Sequence, residues 1–234
     1  MNELVQSVID AARLIGSLDA ELARIVLLSL RVSVTAVLVA AAIGLPAGAA
    51  LAIARFPGRQ AITVLLNAFM GLPPVVVGLV IYLLLSRAGP LGSLGILFTP
   101  AAMIVAQTVL ITPIVAALAR QVVEDAWREY EEQLRSLGAG WHDAVATLLW
   151  DTRYSLVTVL LAGFGRAAAE VGAVMIVGGN IAGVTRVMTT AIALETSKGD
   201  LALALALGMV LIALVLAINA AACGIRQFSV RRHG

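Results

Sequence analysis

Charged side chains are scarce in this chain, at 13% of its 234 residues, which is about half of the usual quarter. Apolar residues reach 61% and gather in uncharged runs longer than a helix of a water-soluble domain needs. So few charges do not cover the surface of a soluble domain, and so much apolar sequence excludes a disordered chain. The composition therefore indicates one membrane domain.

Aromatic and reactive side chains are also few. Aromatic residues make up 5% of the chain and the net charge is only +2, so the sequence does not predict nucleic-acid binding. Cys223 is the only cysteine, and His142 has no companion ligands, so no disulfide and no metal site are expected. The sequence contains no Ser/His/Asp arrangement, no HExxH motif and no Gly-x-x-x-x-Gly-Lys-Ser/Thr loop. These absences predict no catalytic residues, and no cofactor or nucleotide bound by this chain.

Five long apolar stretches are present. A helix needs roughly 20 apolar residues to cross the hydrocarbon layer, and the candidate spans are residues 32–54, 61–86, 98–119, 154–178 and 201–225. The apolar runs are continuous rather than alternating, which favours helices over the strands of a barrel. The predicted fold class is an all-α membrane protein with about five transmembrane helices.

The two ends of the chain are amphipathic or basic. Residues 1–24 place apolar side chains on one helical face, which predicts a helix lying in the membrane interface, with a short extra span as the alternative. Residues 25–225 form the predicted transmembrane domain, and residues 226–234 a basic tail that meets anionic headgroups. Nine Lys and Arg residues flank the spans on the side of the C-terminus and six on the other. This bias favours an external N-terminus and a cytoplasmic C-terminus.

The segment 120–153 is the one strongly polar stretch, with eleven charged residues. Helix formers fill residues 124–137, Gly138 interrupts them, and Trp141, Val145 and Leu148 then lie on one helical face. An apolar stripe on a solvated loop is typical of a docking surface. The alternative is a loop that packs back onto the membrane helices of its own chain.

This loop resembles a known motif. Residues 132–134 (Glu-Gln-Leu), three further residues and Gly138 are similar to the EAA loop of ABC-importer permeases, with Leu148 at the apolar position of that motif. Gln and Leu in place of two alanines, and residues 150–151 (Trp-Asp) in place of Leu-Pro, depart from the motif. Residues 70–78 (Met-Gly-Leu-Pro-Pro-Val-Val-Val-Gly), 170–173, 178–181 and 195–200 further resemble tungstate-type permeases.

The resemblance implies the fold and the assembly. It implies the fold of a binding-protein-dependent permease of type I importers, with 120–153 as a cytoplasmic coupling loop in the inner membrane. The implied partners are a second copy of the chain, two cytoplasmic ATPase subunits that hold ATP and Mg²⁺, and an external oxyanion-binding protein. The expected cargo is tungstate, with molybdate or sulfate as alternatives. A secondary anion transporter is the less favoured reading, and an intramembrane enzyme lacks any candidate residues.

The coupling residues are predicted within the loop. We expect the helix 139–149 to enter a groove of the ATPase, with apolar anchors and a glycine turn before it. Glu132 would cap or pair locally and fix that geometry. The predicted coupling residues are Glu132, Gly138, Ala139, Trp141, His142, Val145 and Leu148.

The pathway residues are predicted where the spans are interrupted. Pro73 and Pro74 break the second span and free backbone carbonyls, and Gly71 permits a hinge or close packing; the alternative is a plain kink. Polar or glycine positions at the end of the fourth span would expose N–H groups to an anion or gate the path, and the alternative there is a helix terminator. These positions are Gly178, Gly179, Asn180 and Thr189.

Arg166 and Glu170 are the charged residues inside the fourth span. At a spacing of four they share one face of a continuous helix, and such intramembrane charges often pair. They are either a neutralised structural pair, or Arg166 adds positive potential to the anion path.

Overall fold

The computed structural model describes residues 20–233 together with Ile9, Arg13 and Gly16. Two thirds of the predicted interfacial helix 1–24 therefore lies outside the described residues, as do the side chains at the end of the basic tail. Residues 20–24 belong to a helix that continues to Ile53. In the described part the regular elements are helical, as predicted. The α-helices are α1 (Ala20–Ile53), α2 (Arg59–Phe69), α3 (Pro74–Leu85), α4 (Pro100–Ser136), α5 (Trp141–Asp151), α6 (Arg153–Ala168), α7 (Gly172–Gly178), α8 (Met188–Lys198) and α9 (Leu201–His233).

The helices α1, α4 and α9 are each long and apolar enough to cross a bilayer. Two further pairs qualify when each is taken as one bent span: α2 with α3, bent by 98°, and α5 with α6, bent by 75°. Among the described residues this gives three to five spans, which agrees with the predicted five.

Proline sets the sharper of the two bends. Pro73 is extended, with ψ at 120°, and Pro74 occupies the first turn of α3. A proline at that position lacks only an N–H that has no partner within the helix, so it starts a helix well and does not continue one. The predicted interruption of the second span at these residues is confirmed.

Two differences from the sequence prediction lie in the middle of the chain. The third span and the first loop helix, expected as separate elements, form the single 37-residue helix α4. Its polar end is rich in helix formers and carries ion pairs one turn apart, Arg120 with Glu124 and Glu131 with Arg135. The fourth span was expected to run to residue 178, but α6 ends at Ala168 and the separate α7 follows.

The chain divides into two compact units. The first comprises the described residues up to 35, residues 73–107 and residues 167–219. In it α3 approaches α7 closely, since a Cβ on Gly78 would lie 2.7 Å from the Cα of Ala173. Its core joins α1, α8 and α9 through the buried residues Leu22, Ile25, Met188, Ala191, Ala206 and Leu207.

The second unit comprises residues 36–72, 108–166 and those from 220 onward. Here α1 lies against α4, since a Cβ on Gly48 would lie 2.3 Å from the carbonyl oxygen of Ala116. One buried cluster in this unit joins α1, α4 and α5: Ala49, Ala52, Ile53, Val123, Ala144 and Leu148.

Candidate functional site

The turn between α4 and α5 depends on Gly138. Its φ is +72°, the left-handed region that side chains other than glycine and asparagine avoid. The N–H of Gly138 donates to the carbonyl of Arg135 and that of Ala139 donates to Leu134, both at 3.0 Å, which closes the end of α4. The N–H of Gly140 then donates to the Asp143 carboxylate at 3.3 Å and starts α5. The loop therefore breaks at the predicted glycine.

The helix α5 is divided between a buried and an exposed face. Leu148 is 1% exposed and lies in the core of the second unit, with Ala144 beside it and Val145 packed against that core. Trp141 is 46% exposed and makes an edge contact with His142, with ring centres 4.7 Å apart. The predicted stripe is therefore not one exposed surface. Leu148 and Val145 pack internally, whereas Trp141 is partly exposed at the edge of an apolar groove lined by residues of α1 and α2. His142, outside the stripe, is exposed. The internal-packing alternative therefore holds for two of the three residues of the stripe.

Two further apolar residues of this loop, which the sequence pattern does not single out, are exposed. Leu137, next to Gly138, is 82% exposed, and Trp150 is 71% exposed. The guanidinium of Arg153 stacks over the Trp150 ring at 4.7 Å. Leu137 directly precedes the glycine that ends the helix. This position in the sequence was the available signal that its side chain is exposed rather than packed between helices.

A network of ion pairs supports the base of the loop. Glu124, on α4, contacts Arg59, Arg120 and Arg128. Arg59 also donates to the carbonyls of Leu51 and Ala52, both at 2.9 Å, and so covers the end of α1. Glu132, predicted to make such local contacts, is exposed and forms no ion pair within the described part of the chain. Its neighbour Glu131 pairs with Arg55 and Arg135 instead.

In the first unit, the end of α7 is a well-bonded turn. Gly179 and Asn180 have φ of +72° and +49°. The buried hydroxyl of Thr185 donates to the Gly178 carbonyl at 2.6 Å and accepts from the N–H of Ile181 at 2.9 Å. This geometry is that of a helix terminator. The role of the turn in anion contact remains a prediction.

The polar side chains near this turn bond to the backbone. Asn180 donates to the Thr190 carbonyl at 3.4 Å, while its own amide oxygen is buried without a partner. Thr189 donates to the Glu170 carbonyl at 2.8 Å and is 8% exposed. Both residues thus hold the fold of the first unit, and their function as a gate stays untested.

The charged residues of the fourth span lie differently from the prediction. Arg166 is on α6 and partly buried, whereas Glu170 follows the end of that helix. The expectation of two charges on one helical face is therefore wrong. Glu170 is 3% exposed, and its carboxylate accepts from the N–H of Ala173 at 3.0 Å. A carboxylate there stabilises the start of α7, because the first N–H groups of a helix lack backbone partners.

The break at α2 and α3 leaves its residues accessible. Gly71 and Pro73 are exposed and Pro74 is partly buried. The Pro73 carbonyl accepts from Val76 and Val77, at 3.1 and 3.2 Å, so this carbonyl is already used by α3. Within the described residues, no group of three or more His, Cys, Asp or Glu is placed to hold a metal ion.

Comparison with known proteins identifies close relatives. A "Probable anion ABC transporter permease protein" of Haloferax volcanii is 41% identical over 218 residues, covering 91% of this chain and 94% of the relative. A "Tungstate uptake system permease protein TupB" of Peptoclostridium acidaminophilum is 41% identical over 210 residues, covering 90% and 92%. A "Molybdenum transport system permease protein ModB" of Escherichia coli is 30% identical over 185 residues, covering 75% and 81%. No family model matches the sequence.

Proposed function

Because this chain belongs to the permease subunits of ABC transporters, we propose that it forms the membrane pathway of an importer for tungstate or a closely related oxyanion. Family membership makes it a multi-pass membrane protein that works with an ATPase and a binding protein. It is a transporter subunit and not an enzyme, as the sequence predicted.

One observation supports tungstate as the transported anion. The relative named as a tungstate uptake permease matches 90% of this chain at 41% identity. The molybdenum permease matches less of the chain at lower identity, and so makes molybdate the alternative. Sulfate remains the second alternative, on the resemblance of the sequence.

The proposed assembly has two copies of this chain, two ATPase subunits and one external binding protein. The chain holds no cofactor of its own, and ATP with Mg²⁺ resides in the ATPase. Exposed apolar surface supports a second copy or lipid as neighbour, since the apolar window of α9 is only 17% buried within the chain. A closed two-fold dimer is the simplest arrangement that encloses a polar path with few helices.

The proposed contact with the ATPase is the exposed face formed by Leu137, Trp141 and His142, which we call the docking face. The rigid turn at Gly138 sets its geometry, and Ala139 lies within that turn. Leu148 and Val145 contribute by fixing α5 to α1 and α4 rather than by touching the partner. An exposed tryptophan is a typical anchor of a protein interface.

Reconstitution tests the proposed function. The permease, its neighbouring ATPase and the binding protein are placed in liposomes, and tungstate uptake and ATP hydrolysis are measured. We expect uptake that requires ATP and the ATPase, with ATP hydrolysis stimulated by the loaded binding protein. Uptake by the permease alone, driven by an ion gradient, would contradict the proposal and support a secondary transporter.

A substitution at Trp141 tests the docking face. Trp141→Glu should abolish co-purification of the ATPase, because it places a charge in an apolar contact. Trp150→Glu is the matched control, since residue 150 lies nine positions later and so on the opposite side of an α-helix. Normal co-purification of the Trp141 variant, or equal loss in both variants, would refute the assignment.

A further inference from the structure

A cationic cavity lies in the first unit. It has a volume of about 350 Å³ and joins the first turns of α1 to the segment before α8. This is room for an anion with several waters, since one water takes about 30 Å³ in the liquid. The lining residues are Ala20, Glu21, Arg24, Ile25, Leu28, Ala182, Gly183 and Arg186.

Arg186 is held in this cavity with an unused donor. Its side chain is 16% exposed, and its Nε is buried without a hydrogen-bond partner. Its nearest carboxylate oxygen, on Glu21, is 3.8 Å away and belongs to a side chain that is 66% exposed. Within the described residues the guanidinium makes only this long contact, so its terminal N–H groups remain for a bound anion.

Arg24 supplies the second positive charge. Its Nη1 lies over Gly183, where a Cβ would be 3.6 Å away, so the glycine leaves space for the guanidinium. Arg24 forms no ion pair within the described part of the chain. The segment that carries Arg186 is rigid, because the N–H groups of Val184, Thr185 and Arg186 all donate to the Ile181 carbonyl.

We propose that this cavity binds a small tetrahedral oxyanion between Arg24 and Arg186. Two guanidinium groups against one carboxylate give the lining a net positive charge, which favours an anion over a cation. Guanidinium groups bind oxyanions through paired N–H donors. This proposal rests on the proposed function: the cavity would be a binding site for the transported anion along its path.

Direct binding tests the site. The permease with its ATPase is placed in lipid nanodiscs without the binding protein, and tungstate binding is measured by equilibrium dialysis. Arg24→Gln and Arg186→Gln should each weaken binding about ten- to hundredfold, the usual effect of losing hydrogen bonds to a charged group. Arg87→Gln is the matched control, since Arg87 is exposed, lies outside the cavity and loses the same charge.

A substitution that is expected to strengthen tungstate binding serves as a control for misfolding. Glu21→Gln removes the competing carboxylate and should tighten tungstate binding several-fold. Unchanged binding in both arginine variants, or no tungstate binding by the wild type, would overturn the site. The two arginine variants could instead bind tungstate normally but lose affinity for the binding protein. That result would assign the cavity to a carboxylate of the binding protein and would also overturn the proposal. Tungstate binding without ATP-dependent uptake would instead refute the proposed function and leave the site standing.

Discussion

At the scale of single residues, the close approach of helices depends on glycine. A Cβ on Gly48 would lie 2.3 Å from the Ala116 carbonyl oxygen and 3.0 Å from the backbone N of Arg120. These neighbours are backbone atoms of a helix, so they do not move aside as a flexible side chain does. Small residues at such crossings let membrane helices pack by van der Waals contact, which is a main source of their association.

Gly48→Ala should therefore destabilise the protein by about 1–3 kcal/mol, the usual cost of overpacking. Gly208→Ala is the control, because a Cβ there meets nothing within 4 Å and alanine favours a helix. Thermal unfolding of the detergent-solubilised protein measures both variants. Equal stability of the two variants would contradict the packing described here.

The hydroxyl of Thr185 is a second residue on which a local structure depends. It is 1% exposed and bonds both the Gly178 carbonyl and the Ile181 N–H. Thr185→Val keeps the shape but leaves both backbone groups buried without this partner, at a cost of about 1–3 kcal/mol. Thr185→Ser keeps the hydroxyl and should retain most of the stability in chemical unfolding. A valine variant as stable as the serine variant would show that these bonds contribute little.

At the scale of helices, α1 and α4 are connected through Arg59 and Glu124. The Arg59 guanidinium covers two carbonyls at the end of α1 and reaches Glu124 at 3.2 Å. The Glu124 side chain is only 22% exposed, so water weakens these contacts less than those of a surface pair. The end of α1 is thereby fixed to the polar half of α4.

Arg59→Lys should lower ATP-dependent uptake severalfold, because an ammonium group does not reproduce the fork that bonds two carbonyls and a carboxylate. Arg55→Gln is the control, since the Arg55 side chain is 68% exposed and pairs at the surface. Uptake and ATP hydrolysis are measured together in liposomes. A lysine variant with normal uptake would show that this connection does not matter for transport.

The helices also show which features the sequence predicts and which it does not. Apolar runs and prolines predicted the number of spans and the break at Pro73, because both signals are local. The face of α5 was not predictable, since burial of Leu148 depends on Ala49 and Val123, which are distant in sequence. Glu170 was assigned to a helix from its spacing, whereas its carboxylate bonds the N–H of Ala173 in the next one.

At the scale of the whole molecule, the length of α4 determines that it crosses the membrane. Its 37 residues extend about 55 Å at 1.5 Å per residue, against about 30 Å for the hydrocarbon layer. The segments before and after it therefore emerge on opposite sides of the membrane. From the charge bias of the sequence we expect the docking face on the cytoplasmic side.

Cysteine labelling checks this orientation. In a Cys223→Ser background, Leu94→Cys should react with an impermeant reagent in intact cells, because Leu94 is 58% exposed and precedes α4. His142→Cys should react only in inverted vesicles. Labelling of position 142 in intact cells would place the loop outside and refute the proposed contact with the ATPase.

The burial of Leu148 has a mechanical consequence. Because α5 shares one packed cluster with the ends of α1 and α4, and such interiors have low compressibility, a force applied at Trp141 is not absorbed by bending of a loose tether. A partner that displaced α5 would therefore also shift the ends of α1 and α4 that share this cluster.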